Sequence, residues 1–252
     1  MVDKTVTSAA RAVADVPSGA SLAVGGFGLC GVPADLIEAL RAGPATDLRV
    51  VSNNCGVDDA GLGRLLAAGR IARMTSSYVG ENREFARRYL HGELEVELVA
   101  QGTLAERLRA GGSGIPAFYT PAGAGTPLAD GGLPWRYHAD GSVALGSPAR
   151  EVREFGGRPY LLEEAIVCDF ALVRAAVGDR HGNLVFHASA RNFNPLCAMA
   201  GRITVAEVER LAEPGELDPG RIDLPGIFVQ RVVAVRDPAD KRIEKLTTTG
   251  AR

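Results

Sequence analysis

Three groups of residues in this chain combine types and spacing suited to chemistry. Gly26, Phe27, Gly28, Leu29, Cys30 and Gly31 have the spacing GxGxxG, placed after the apolar run Ser21-Leu22-Ala23-Val24 and before a helical pattern opened by Val32-Pro33. Glycines in such a turn let backbone N–H groups approach an anion or a carbonyl oxygen at a helix N-terminus. Asn53 and Asn54 follow the second apolar run. Paired amides suit a carboxylate or carbonyl ligand, although asparagine also favours plain turns. Gln101 follows the run VELVA, and its amide can donate a hydrogen bond without carrying charge. Capping the helix that follows is the competing role for it.

GxGxxG between a strand and a helix is also the setting of a dinucleotide fingerprint, so a nicotinamide-dependent oxidoreductase is a competing class. That fingerprint needs an acid about 20 positions on, at the end of the second strand, to hold the ribose hydroxyl. Here that strand ends in Ser52-Asn53-Asn54, and the nearest acid, Asp47, precedes it. None of the four histidines stands in a supporting motif, and His181 and His187 have no acidic partner in register for a metal site. Three glutamates invite a nucleophilic role. Glu81 in VGEN reads instead as a residue that caps or orients a loop, and Glu163 and Glu164 in LLEEA fall at a strand-to-loop junction.

The elements that must position these groups follow from apolar periodicity. Short strands are predicted at 21–24, 48–51, 71–76 and 96–99, alternating with helices over PADLIEALRAG, AGLGRLLAAG, ENREFARRYLHG and TLAERLRAGG. Pro33 suits a first helical turn, and Gly43-Pro44 ends that helix. This alternation predicts an α/β fold, a mainly parallel sheet flanked by helices, with ligands in the crevice beyond the strand C-termini. The turns at 24–31, 52–59, 76–81 and 100–103 are therefore where chemistry belongs. From 111 to about 165 a β-rich insertion is expected. It begins as a Gly- and Pro-rich loop, ordered by Ile115, Phe118 and Tyr119, and continues as hairpins turning at Asp140-Gly141 and Gly156-Gly157. Parallel-type strands return at 170–177 and 227–235, with a helix over PLCAMA preceded by a turn that Asn192 and Asn194 hold. The first 16 residues read as an amphipathic helix, and residues 1–252 as one domain carrying the insertion.

Bulk properties exclude several classes. With 252 residues, 46% hydrophobic and 23% charged, a substantial core is available. A net charge of -2 with scattered arginines predicts no nucleic-acid partner and no membrane-surface role. No stretch approaches the ~20 apolar residues of a membrane span. Cys30, Cys55, Cys168 and Cys197 form no CxxC pair, and are expected as small buried thiols in a reducing compartment. A soluble, cytoplasmic protein without a metal is predicted.

Lengthening the glycine window makes it specific. From Gly19 to Pro33 the chain reads G-ASLAV-GGFGLCG-VP, which resembles the N-terminal signature of family I CoA-transferases, departing at Ser18, where an acidic or amide residue is usual. VSNNCGVDDAGLG, the long segment from SSYVGENREF to IPAFYTPAGAGT, REVREFGG, GDRHGNLVF and SARNFNP extend the resemblance over nearly the whole chain. The resemblance is to the A half of that family. It implies a partner, the B subunit, in an αβ or α2β2 assembly, and places the nucleophilic glutamate on that partner. It implies acyl-CoA and 3-oxoacid substrates and no separate cofactor, coenzyme A being itself a substrate. It assigns Gln101 to the family's active-site glutamine, and Val24, Gly25, Gly26, Phe27, Gly28, Leu29, Cys30, Gly31, Asn53 and Asn54 to the CoA or substrate site. SNNCGVDD, SSYVGEN, RYLHGELEVEL and GSVAL look most like members that move CoA from succinyl-CoA to a 3-oxoacid such as acetoacetate. Members acting on 3-oxoadipate, or on acetate and butyrate, are the alternative.

Overall fold

In the computed structural model, which describes residues 2–238, the apolar runs become strands and the amphipathic stretches between them cross the sheet. In chain order the first half is α1 (Ala9–Ala12), β1 (Ser21–Val24), α2 (Ala34–Ala42), β2 (Leu48–Val51), α3 (Gly63–Ala67), β3 (Ile71–Ser76), α4 (Arg83–Leu90), β4 (Glu95–Leu98) and α5 (Gln101–Gly112). The insertion holds β5 (Ala117–Thr120), α6 (Pro127–Asp130), β6 (Pro134–Tyr137), β7 (Val143–Gly146), β8 (Val152–Phe155) and β9 (Arg158–Glu164). The chain then returns through β10 (Cys168–Asp179), β11 (Leu184–Val185), α7 (Asn194–Ala200), β12 (Gly201–Ala212) and β13 (Arg231–Ala234).

The main sheet has the order β13-β12-β10-β1-β2-β3-β4, parallel throughout, with β11 laid antiparallel on β10. The chain winds outward from β1 to β4, returns to the other side of β1 as β10, and winds outward again. Between β1 and β10 the connections diverge, which opens a crevice at the strand C-termini. One face is sealed by Leu36, Ile37, Leu40, Leu65, Leu66 and Phe85 from the helices of the first half. The other is sealed by Leu104 and Leu108 of α5 and by Cys197 and Ala198 of α7.

The insertion forms a three-stranded sheet, β5-β9-β8, and a β6-β7 hairpin. The Gly156-Gly157 turn closes β8 onto β9, with Phe155 opposite Arg158. Charged side chains line the junction between the insertion and the main sheet, where Arg107 Nε also donates to Glu164 O at 2.7 Å. Glu97 of β4, almost wholly buried, accepts from Arg73 Nη2 at 2.8 Å, Arg107 Nη1 at 2.8 Å and Thr75 Oγ1 at 3.2 Å. Glu163 of β9, also buried, pairs with Arg150 and lies 3.8 Å from Arg107. Burial opposes ionisation of Glu97, but Arg107 and Arg73 outweigh it and hold the carboxyl below its usual range.

Four expectations change. The N-terminal helix shrinks to the single turn of α1, because Thr5 pairs in parallel with Val232 and draws the preceding residues along β13. The Gly-rich loop contains β5, whose partner β9 lies some forty residues later and supplies the pairing that local composition does not. The strand expected at 227–235 is only Arg231–Ala234, since a 3-10 turn at Gly226–Phe228 follows Pro225. β12, twelve residues long and paired along β10, is not anticipated at all. Among the described residues, no helix is long and apolar enough to cross a membrane.

Candidate active site at the strand-end crevice

β1 ends at Val24, and Gly25 N–H still donates to Leu172 O of β10 at 2.9 Å. A side chain at Gly25 would overlap the Asn194 amide oxygen, so the backbone here runs against its neighbour without clearance. The turn then folds on itself, the N–H of Phe27 and of Cys30 each donating to the other's carbonyl at 3.0 Å. Gly26, Gly28 and Gly31 have positive φ, which only glycine adopts without strain. Leu29 is buried beneath the turn, and Phe27 stands at its tip, 50% exposed.

Three asparagines hold the loop from outside. Asn192 Nδ2 donates to Cys30 O at 3.0 Å, Asn194 Nδ2 to Gly31 O at 3.0 Å, and Asn54 Nδ2 to Gly28 O at 3.3 Å. Asn192 and Asn194 hold the local turn as expected, donating to Ser189 O and Ala190 O, each at 2.8 Å, and reach the loop besides, across 162 and 163 residues of sequence. Asn54 uses its amide on the loop backbone.

Asn53 has a different task. Its buried Oδ1 accepts from Gln101 Nε2 at 2.8 Å and from Ser77 Oγ at 2.8 Å, and its carbonyl accepts from the N–H groups of Ser77 and Tyr78. The ends of β2, β3 and β4 are thereby joined through one amide. Gln101 is the first residue of α5 and does not cap it; Ala100 holds that position without a side-chain bond. Gln101 is exposed at the C-terminal ends of these strands. One of its two N–H bonds goes to Asn53, so its second can serve a ligand. Ser77 is the member of this cluster that sequence reasoning missed, and its place in the turn after β3 was the available signal.

The N-terminus of α2 is not open to a ligand anion, contrary to the simplest reading of a glycine loop leading into a helix. Pro33 offers no side-chain cap, and the carboxylate of Glu207, wholly buried on β12, accepts from Leu36 N–H at 3.0 Å. Burial pushes Glu207 up to about 7, against the pull of Arg174.

The other groups considered from sequence lie elsewhere. Glu81 is exposed, and its neighbour Asn82 makes the cap of α4, accepting from Phe85 N–H at 2.8 Å. Glu163 is committed to arginines and Glu164 is exposed at the end of β9. Cys55, Cys168 and Cys197 are buried thiols, and burial pushes the first two up to about 12. Cys30 differs from expectation in being only half-buried, with Sγ 3.5 Å from Ser189 Oγ. A separate open cavity of about 280 Å³, lined by Arg49, Arg73, Glu97 and Arg107 among others, includes none of the loop or amide residues above.

A family model described as coenzyme A transferase matches residues 6–235. This chain belongs to the coenzyme A transferase family. Among its relatives, a Mycobacterium bovis protein named as the A subunit of a probable succinyl-CoA:3-ketoacid coenzyme A transferase is 66% identical over 246 residues, covering 98% of this chain and 99% of its own. The mitochondrial succinyl-CoA:3-ketoacid coenzyme A transferase 2A of Rattus norvegicus is 50% identical over 97% of this chain, which spans only 47% of that longer protein. Among solved structures, the acyl-CoA transferase apoenzyme from Escherichia coli O157:H7 superposes with a TM-score of 0.78 at 24% identity, covering 95% of this chain and 48% of that one. That likeness shows the shared coenzyme A transferase fold. Family membership sets aside the nicotinamide reading, which already lacked its ribose-binding acid.

Proposed function

We propose that this chain is the A half of a CoA-transferase that moves CoA from succinyl-CoA to a 3-oxoacid such as acetoacetate, acting with a B half that supplies the nucleophilic glutamate. The observation that carries the reading is the Gln101 amide: exposed, held on Asn53, and free of any carboxylate in its own cluster. A group placed this way donates to developing negative charge without competing as a base.

The reaction then divides between the two halves. A glutamate oxygen of the partner attacks the thioester carbonyl, and the carbonyl oxygen becomes an oxyanion that the second N–H of Gln101 meets. The C–S bond breaks, leaving an acyl–glutamyl anhydride and CoA thiolate. Thiolate attacks the glutamyl carbonyl, releasing succinate and forming an enzyme–CoA thioester. The acceptor carboxylate repeats these steps in reverse, which is covalent catalysis by two easier exchanges in place of one hard one. Val24, Gly25, Gly26, Phe27, Gly28, Leu29, Cys30 and Gly31 form the wall of the acyl-CoA site in this reading, with Asn53 setting Gln101 and Asn54 setting the loop. Coenzyme A enters as substrate, with no further cofactor. The assembly is αβ or α2β2 and cytoplasmic, without nucleic-acid or membrane partners.

The test is formation of acetoacetyl-CoA from succinyl-CoA and acetoacetate, measured with this chain alone and with the B half added. Turnover only in the mixture supports the division of labour. Turnover by this chain alone refutes it. Silence in both, with activity toward 3-oxoadipate or acetate, transfers the substrate assignment to those acids.

A further inference from the structure

The loop at 25–31 is fixed at its ends by groups that come from the far side of the crevice, and one pair there has no part in the reaction above. Glu207 on β12 and Arg174 on β10 are direct partners in the parallel ladder, on adjacent strands. Both are buried, Glu207 completely and Arg174 to within 6%. Arg174 Nη1 donates to Glu207 Oε1 at 3.0 Å, and its Nε and Nη2 donate to Glu209 Oε1, each at 3.2 Å. The other oxygen of Glu207 takes the Leu36 N–H, in the first turn of the helix that begins three residues after Gly31. The first-turn donors of a helix need acceptors, and a proline at the cap position supplies none from its side chain.

β10 holds the loop a second time, through Asn194 of α7. The backbone N–H of Arg174 donates to Asn194 Oδ1 at 3.0 Å, while Asn194 Nδ2 donates to Gly31 O. That amide also abuts Gly25. The entry and exit of the loop therefore refer to one short stretch of β10 and its neighbour. A buried ion pair is a costly way to stabilise a core. Here its geometry serves a defined end, since a carboxylate at that depth reaches the helix start that no local residue caps.

We infer that Glu207 and Arg174 are positioning residues for acyl-CoA binding: they fix the start of α2 and so hold the glycine loop in its binding shape. This rests on the proposed assignment of that loop to the acyl-CoA site.

Two variants test it. Glu207→Gln keeps the shape and one acceptor but loses the charge. The double variant Arg174→Met with Glu207→Met removes the ion pair and the cap together, and the one carboxylate it deprives of Arg174, Glu209, is part-exposed. Hydrogen–deuterium exchange of the full chain is read at 26–36, and KM and kcat are read in the complex with the B half. Loss of a cap corresponds to about fivefold. The double variant should therefore exchange about fivefold faster at 26–36, with β2 and β3 unchanged, and KM for succinyl-CoA should rise by a similar factor while kcat moves less. Glu207→Gln should fall between it and the unaltered chain. Unchanged exchange at 26–36, or a rise spread evenly over the sheet, overturns the positioning role. Faster loop exchange with unaltered KM overturns the placement of acyl-CoA on the loop, and the positioning role with it.

Discussion

The crevice at the ends of β2, β3 and β4 and the seam between β4 and the insertion lie within a few residues of each other in sequence, yet they are built from different groups. Asn53, Ser77 and Gln101 are neutral, and the outermost of them keeps a donor uncommitted. Glu97, Arg73, Arg107, Arg150 and Glu163 are charged, and each is matched by a partner of opposite sign. A cluster whose every charge is satisfied internally serves assembly, because a ligand could enter only by breaking pairs. A neutral cluster with a spare N–H is ready for a charge that does not yet exist. The contrast, rather than fractional burial, is what supports the proposed role of Gln101 in the reaction.

The contrast is broken most forcibly at Glu97. Glu97→Ala leaves Arg73 and Arg107 facing an empty buried site, and should lower unfolding stability by about 3–5 kcal/mol, seen in denaturant melts of the full chain. Gln101→Ala should do the converse. It should leave the melting midpoint nearly unchanged but lower kcat of the complex with the B half by about 100-fold or more, the usual effect of losing one oxyanion donor. If Gln101→Ala proves as destabilising as Glu97→Ala, the division between the two regions fails. Asn53→Ala sharpens it further. Loss of the shared acceptor should cost about 1–3 kcal/mol, divided between stability and kcat, since Asn53 both ties strand ends and aims Gln101.

Acidity should separate the seam from the helix cap on β12. Glu97, held below its usual range, contributes stability that is present above that range and lost as pH falls below it, through the depressed folded value. Glu207 has the opposite sign. Its folded value is raised from 4.5 to about 7, so its contribution is complete below 4.5 and is lost as pH rises to 7. The groups facing it are Arg174 on β10, Glu209 on its own strand and Asp35 on α2. Glu207→Gln should therefore flatten the stability profile between pH 4.5 and 7, measurable by thermal melts across that range. A profile unchanged by the substitution would show that Glu207 does not titrate there.

Much of this arrangement was legible in the sequence, for a local reason. SLAV, LRVV and IARMTS are apolar runs bounded by turn residues, and each became a strand with those bounds. The glycine loop and Gln101 were visible because strand ends in an α/β sheet are marked by the chain itself. What stayed hidden depended on partners far away. β12 carries Glu207 and Glu209 inside VAEVERL, a pattern that looks helical until Arg174 on the adjacent strand accounts for both acids. The helix start at Leu36 is capped by a residue 171 positions on. Asn53 acquires its meaning from Ser77 and Gln101, 24 and 48 residues later. Amide side chains state what they can bond, and only the fold states with what.

The pairing of β1 with β10 bears on how the chain folds. Ser21 at the start of β1 bonds Asp169 at the start of β10, 148 residues away. The middle of the sheet is thus among its most non-local contacts, and such contacts slow folding because a long loop must close before they are rewarded. On the ribosome, β1 to β4 emerge with one side of β1 unpaired until β10 follows. The crevice takes shape at that late step, so a nascent chain arrested within the insertion would hold Gln101 but no crevice beside β1.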